Sequence, residues 1–213
     1  MEREVIVTGI GGQGIQLLAK TLALAATRQG HHAMLSADYG GEMRGGPSKA
    51  SVVVGDEPLR SLPVLASAWS AIVAHHRFSE PVLARLRPGG PVIANVPLVD
   101  PAALPAGMEV HTVDATAVAK SVGAANAVGF VLLGAYNAVA GLVPGDALAA
   151  AMEELLPVYR RQHAPANRRA LEAGHEAAAR AGHGAAAATE ADPAAGRGTV
   201  ATETVVEAGH GAS

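Results

Sequence analysis

Gly9, Gly11 and Gly14 stand in the order G-x-G-x-x-G within the stretch GIGGQGIQLLAK, positions 9–20. That spacing is the pattern of a dinucleotide-binding turn. Set between a strand and a helix, it gathers backbone N–H groups and the positive end of a helix dipole, which together suit a phosphate. Gly11 and Gly12 would let a ligand approach the backbone, and Gly14 would let the helix pack closely on the strand. The same glycines would equally serve a tight turn at a packed subunit interface, so the pattern alone leaves both readings open. A nicotinamide dinucleotide asks for one thing more: an acid at the end of the second strand, about 20 residues on, to bond the ribose hydroxyls. Ser36 and Ala37 hold that place, and Asp38 already begins the next loop.

That next loop, DYGGEMRGG, sets Tyr39, Glu42 and Arg44 among Gly40, Gly41, Gly45 and Gly46. It falls beside the expected C-terminal edge of the sheet, where open α/β folds bind ligands. Arg44 could grip a phosphate or carboxylate with two parallel hydrogen bonds, and Glu42 could pair with it or with a cation of another chain. Other groups point to less. His31-His32 and His75-His76 are adjacent pairs, and neighbours on a strand face opposite ways, so neither pair chelates one metal easily. Ser36, Ser48 and Ser51 lack the context of an activated nucleophile. Glu153-Glu154 and Arg160-Arg161 read as solvated helix ends, and Asn126 as the N-cap of a long apolar helix.

Elements of alternating type must hold these loops. Short β-branched runs predict strands at Glu4–Thr8, His32–Ser36, Ser48–Val54, Ala71–His75, Val92–Ala94 and Glu109–Val113. Helical spacing runs from Ile15 to a stop at Gly30, and another helix is expected near Glu80–Leu86. Strands alternating with helices imply a three-layer α/β/α domain on a largely parallel or mixed sheet. Beyond Asn126 the pattern turns helical, over Asn126–Leu142, Asp146–Leu156 and Ala164–Ala181. After Gly182 the chain is rich in Ala and Gly and poor in large apolar residues, so residues 183–213 are expected to be a disordered tail. The functional domain is thus residues 1–182.

Composition narrows the options. The 213 residues are 49% apolar but only 3% aromatic, so Ala, Val and Leu must build the core. With a net charge of −3 and no basic stripe, nucleic acid is not an expected partner. Cysteine is absent, which rules out disulfides, a thiol nucleophile and an iron–sulfur cluster on Cys ligands within this sequence. The start MEREVIVTG has no basic region before an apolar stretch, so no secretory signal is expected. The longest apolar run, Ala127 to Val143, contains Tyr136, Asn137 and three glycines. It falls short of the roughly 20 residues of a membrane span, so no membrane association is expected and the location is read as cytoplasmic.

The two glycine loops, followed by RPGGPVIAN, ANAVGFVLLGAYNAVAGLV and NRRALEAGHEAA, resemble the gamma subunit of the 2-oxoacid:ferredoxin oxidoreductases. The resemblance spans residues 3 to 181. It implies a chain without chemistry of its own, placed at the coenzyme A site and holding an assembly together. Thiamine diphosphate, magnesium and the iron–sulfur clusters would then sit on alpha and beta partner subunits or a ferredoxin-like delta chain, with ferredoxin as acceptor. The candidate binding residues are Gly9, Gly11, Gly12, Gln13, Gly14, Tyr39, Glu42, Arg44, Gly45 and Gly46. The second loop, Tyr39-Gly40-Gly41-Glu42-Met43-Arg44-Gly45-Gly46, is similar to the 2-oxoglutarate and branched-chain branch, more than to the pyruvate or indolepyruvate ones. One departure is Trp69, where relatives commonly carry an Asp. The alternatives are a stand-alone NAD(P) or flavin oxidoreductase and a ligand-free scaffold in which both loops are interface contacts.

Overall fold

Two β-branched runs, Val5–Val7 and Val52–Val54, are buried on neighbouring central strands, where Val5 stands opposite Val52. The computed structural model describes residues 2–39, 45–60 and 64–190. Its strands are β1 (Glu2–Ile10), β2 (His32–Tyr39), β3 (Pro47–Gly55), β4 (Ser70–Val73), β5 (Pro91–Asn95) and β6 (Glu109–Val113), in the order β2-β3-β1-β4-β5-β6. β1, β4, β5 and β6 are mutually parallel, whereas β3 runs antiparallel to both β1 and β2. The sheet is therefore mixed, with β3 as its reversed strand. Chain length explains the reversal: a parallel return from β2 would need a crossover of roughly a dozen residues. The link 40–46 is shorter, so β3 turns straight back and fills the place between β2 and β1.

The helices are α1 (Ile15–Arg28), α2 (Glu80–Leu83), α3 (Ala115–Ser121), α4 (Val128–Ala140), α5 (Gly145–Leu155) and α6 (Ala164–Glu190). Helix α3 has no counterpart among the sequence expectations. Its signal was there: Asp114 caps it by accepting from the Ala117 N–H at 2.8 Å, and Lys120 stands in its last turn. Helix α6 continues to Glu190, past the expected end at Ala181, and residues 191–213 of the expected tail lie outside the described residues.

Alternation along each strand divides the core. Val5, Val7, Ile72 and Ile93 face the larger cluster, together with Leu18 and Leu22 of α1, Leu132 and Leu133 of α4 and Met152 of α5. Ile6, Ala71, Val73, Val92 and Ala94 face the smaller one, which Val82 of α2 helps to close. With few aromatics available, the larger layer gains density by bringing backbones together. A Cβ on Gly134 of α4 would overlap the Leu171 carbonyl of α6, and one on Gly174 of α6 would overlap the Val131 carbonyl of α4.

The polar residues inside α4 are satisfied. Tyr136 is wholly buried and its hydroxyl lies 2.8 Å from Ser70 Oγ. Burial pushes that phenol far above its ordinary pKa, so it stays protonated. Asn137 donates to the Val143 carbonyl at 2.7 Å and accepts from its N–H at 3.3 Å, fixing the turn into α5. Among the described residues no helix is long and apolar enough to cross a membrane.

This crossing sets the first prediction. Gly174→Val should lower the unfolding free energy by about 1–3 kcal/mol through overpacking against a carbonyl that cannot move freely. Gly145→Ala, whose Cβ would meet nothing, should change it by less than about 0.5 kcal/mol. Urea titrations of the two variants would decide it, and equal midpoints would contradict the backbone-contact account.

Candidate functional site

The glycine loop begins where β1 ends. The Gln13 N–H donates to the Ile10 carbonyl at 3.2 Å, and Gln13 Oε1 accepts the Ile10 N–H at 2.9 Å. The side chain thus folds back over Gly9, where a Cβ would overlap Gln13 Oε1 and come to 2.9 Å from Ile15 Cδ1. Gly9 is glycine to make room for Gln13 and for the first turn of α1. Gly12 and Gly14 have φ of 103° and 75°, conformations that favour glycine, and an added Cβ on either would meet nothing within 4 Å. Gly14 therefore acts as the left-handed N-cap of α1. The close helix–strand packing expected of Gly14 belongs to Gly9 instead.

The second glycine loop is joined to the first. Gly11 donates to the Gly46 carbonyl at 2.8 Å, and Gly45 donates to the Gly11 carbonyl at 3.2 Å. These bonds carry the β1–β3 ladder past its last regular pair, Ile10 with Pro47. Gly45 takes φ 76° to make the turn. Gln16 in the first turn of α1 donates to the Lys49 carbonyl at 2.9 Å, tying the helix to the same edge. Tyr39 closes β2 opposite Ser48. Glu42 and Arg44 lie outside the described residues. Of the candidate residues, Gly9, Gly11, Gly12, Gln13, Gly14, Gly45 and Gly46 are thus brought into one platform.

Beside this platform opens a cleft of about 730 Å³. Gly12, Gln13 and Gly14 form one wall and Asn126 to Phe130 another, with Ala74, Asn95 and Leu98 at the base and Arg160, His163 and Asn167 beyond. Among the described residues no Asp or Glu lines it. Helix α4 enters tightly, since a Cβ on Gly129 would lie 3.0 Å from Leu18 Cδ1 and 3.2 Å from the Gln13 carbonyl. Neither α1 nor α4 has a side-chain cap. Their first-turn N–H groups and positive dipole ends therefore add to a field that favours an anion.

Several sequence readings change here. Asn126 does not cap α4; Ala127 occupies that position without a side-chain bond, and Asn126 is exposed on the cleft wall. Glu153 pairs with Arg168 of α6 at 2.6 Å, and Glu154 pairs with Arg28 of α1, so they join helices rather than merely face solvent. Arg160 is exposed as expected, but it borders the cleft, as does His163. Asn95 donates to the Ala74 carbonyl and accepts from the Ala115 N–H, holding the cleft base together. His163 carries no motif, and Asn167 figures in the sequence only as the first residue of NRRALEAGHEAA, with no site role attached to it.

His75 and His76 are engaged elsewhere. His75 Nδ1 accepts the Arg77 N–H at 3.0 Å, and His76 Nδ1 lies 2.7 Å from the Leu98 carbonyl. Partial burial, His76 and Arg77 hold the His75 pKa below its ordinary value. Among the described residues no three metal-binding side chains cluster. Trp69 carries the Arg3 guanidinium on its ring at 4.1 Å, beside a second hollow of about 280 Å³ that also includes Glu109 and Gly141.

A mixed sheet flanked by helices, with joined glycine loops beside a cleft at two uncapped helix starts, defines an α/β domain with an open site whose field favours an anion. The chain belongs to the pyruvate ferredoxin/flavodoxin oxidoreductase family, whose model matches residues 4–177. It is similar to the pyruvate synthase subunit PorC of Methanothermobacter marburgensis, 30% identical over 156 residues, 72% of this chain and 86% of that one. The gamma subunit of a keto/oxoacid ferredoxin oxidoreductase from Geobacter sulfurreducens PCA superposes with a TM-score of 0.72 at 29% identity, over 85% of this chain and 98% of that one. A 2-oxoglutarate:ferredoxin oxidoreductase from Magnetococcus marinus, solved with 2-oxoglutarate, coenzyme A and succinyl-CoA bound, shares the fold. It has a TM-score of 0.68 at 20% identity, over 90% of this chain and 32% of that one.

The interlock of Gly9 and Gln13 is testable by a double-mutant cycle. Gly9→Ala should cost about 1–3 kcal/mol of stability in the native background. In a Gln13→Ala background the cost should shrink by at least about 0.5 kcal/mol, because the overlapping oxygen is gone. Additive effects in urea unfolding would mean that the two residues do not constrain each other.

Proposed function

We propose that this chain is the gamma subunit of a thiamine-diphosphate-dependent 2-oxoacid:ferredoxin oxidoreductase, working in the cytoplasm with alpha and beta partner subunits and a ferredoxin-like delta chain. Its part is to complete the coenzyme A site and to hold the assembly. The 2-oxo acid favoured by the second loop is 2-oxoglutarate. The complex would then convert 2-oxoglutarate, coenzyme A and oxidised ferredoxin to succinyl-CoA, carbon dioxide and reduced ferredoxin. The observation that carries the reading is the joined pair of glycine loops beside a cleft that no Asp or Glu lines among the described residues.

The division of labour follows from what the residues can hold. Coenzyme A brings phosphates, and the platform offers backbone N–H groups and open space above Gly12 and Gly14. Thiamine diphosphate with its magnesium supplies the carbanion chemistry of such enzymes, and iron–sulfur clusters carry the electrons. The family resemblance assigns both to the partners, and for the clusters the residues agree, since a chain without cysteine offers no thiolate to them. Arg44 and Glu42 are proposed to face the ligand or the neighbouring subunit from the second loop, with Tyr39 at its base. Function is assigned to residues 1–182.

The stand-alone dinucleotide enzyme fares worse. In the strand order, β3 separates β1 from β2, so the end of β2 lies two strand spacings from the glycine loop, about 9–10 Å. Asp38, near that end, is paired with Lys49 at 2.8 Å.

The test is Gly12→Leu in the assembled complex. A side chain there costs about 1–2 kcal/mol of left-handed strain and fills the space above the loop. The Michaelis constant for coenzyme A should rise, or assembly fail, while the isolated chain still folds. The isolated chain should not reduce a viologen dye with any 2-oxo acid and coenzyme A. Normal assembly with an unchanged Michaelis constant would leave the loop a plain turn, and turnover by the chain alone would overturn the division of labour.

A further inference from the structure

Aromatic side chains are scarce, with one Trp, three Tyr and two Phe in 213 residues. Phe130 and Tyr136 are buried in α4, whereas Phe78 and Tyr159 are 39% and 73% exposed. Both exposed rings stand on turns that border the cleft. The turn 75–79 leaves Ala74 and is tied to Leu98, and those two residues line the cleft base. Its frame is firmly held. The His76 N–H donates to the Leu98 carbonyl at 3.2 Å, and the Arg77 N–H donates to His75 Nδ1 at 3.0 Å. The Ser79 N–H and Oγ both donate to the His76 carbonyl, at 3.1 and 2.7 Å. Within this frame Phe78 takes φ 67°, the one non-glycine residue with positive φ among the described residues. Left-handed backbone is costly for so large a side chain, and such strain persists only where the surroundings impose it. Core packing does not offset it, since Phe78 belongs to neither core cluster. What the conformation achieves is a ring at the surface with the Arg77 guanidinium over it, 5.0 Å from the centroid. The turn Val158–His163 repeats the arrangement on the other side of the cleft. There Arg160 lies 5.7 Å from the centroid of Tyr159, next to Val158, which is 79% exposed. Arg77, Arg160 and Arg161 form no ion pair among the described residues.

We propose that Phe78 and Tyr159, each overlaid by its neighbouring arginine, are the two anchors on which a catalytic partner subunit docks. The partner surface they fit has two apolar sockets for the rings, each rimmed by a carboxylate for the arginine. Aromatic and Arg side chains carry much of the energy of protein interfaces. A guanidinium with no carboxylate of its own gains a charge-assisted pair when one is brought to it. The occupant is a catalytic subunit and not a second copy of this chain. The gamma-subunit reading leaves this chain without a reacting group, so whatever the cleft holds can react only where another subunit reaches the opening that these turns border. A second copy seated there would close the opening and bring no such group. The inference rests on the gamma-subunit reading and adds which residues the partner grips.

Sedimentation of the assembled complex across a dilution series reads how tightly the partner subunits hold this chain. Phe78→Gly and Tyr159→Ala should each loosen the complex about tenfold or more, the scale of a buried aromatic anchor. Val64→Ala, which trims a residue 78% exposed on the link before β4, should leave it unchanged. Phe78→Gly also separates docking from folding. Glycine accepts this φ without strain, so the variant chain should unfold at no lower a temperature while its partner binds less well. Arg77→Ala with Arg160→Ala should weaken assembly and flatten its dependence on salt. With the partner subunits in saturating excess, the Phe78→Gly complex should show the native Michaelis constant for coenzyme A. Unchanged assembly in Phe78→Gly and Tyr159→Ala would overturn the assignment. So would a Phe78→Gly chain that unfolds at a lower temperature, which would make the ring part of the fold, or self-association of the chain that the two variants abolish while partner binding persists. If Gly12→Leu acts on coenzyme A while both ring variants assemble normally, this inference fails alone. If the native chain does not assemble with alpha and beta subunits, the gamma-subunit reading fails with it.

Discussion

The bonds from Gly11 to Gly46 and from Gly45 to Gly11 fix where both functional loops can be. They exist because β3 turns back beside β1, so that the chain leaving the second loop meets the chain entering the first. Each loop alone would be a flexible glycine-rich turn. Joined, they share one backbone surface whose left-handed glycines at 12, 14 and 45 leave the space above them clear. Gln13 locks that surface from below by taking the Ile10 N–H, and a side chain at position 9 would crowd it out of that place.

The second constraint is density without aromatics. Gly134 and Gly174 bring the backbones of α4 and α6 into contact. Gly129 brings the start of α4 onto Leu18 and Gln13. The result is that the N-terminus of α4 is delivered next to that of α1, and two helix dipoles converge on one opening. Packing and electrostatics are therefore the same design here. A bulkier helix pair would hold the α4 terminus away from the glycine loop and open the cleft into a groove.

Much of this was legible in the sequence, and the limits have physical causes. The β-branched strands and the glycine loop announced themselves through local pattern, and the helices α4 and α5 through apolar spacing. The reversal of β3 was not fixed by pattern, because a buried run such as Val52–Val54 reads the same in either direction. Asn126 looked like a cap because it precedes an apolar run, yet the helix starts two residues later at Val128. Arg160 looked like a solvated helix end, and it is exposed; its position on the cleft rim depends on where the turn after α5 packs. Asn167 belongs to a helix remote in sequence from the glycine loop, and no spacing rule connects them. Residues that meet only through tertiary packing leave no local signature.

The central claim is that the surface shared by the glycine loops and the α4 terminus is a ligand site on a subunit that does no chemistry itself. Amide hydrogen exchange of the assembled complex, with and without coenzyme A, tests it most directly. The account predicts that the ligand slows exchange at Gly12, at Gly14 to Gln16 and at Val128 to Gly129, whose N–H groups stand free near the two helix starts. Protection confined to the partner subunits, with these amides exchanging at the same rate in both states, would contradict it.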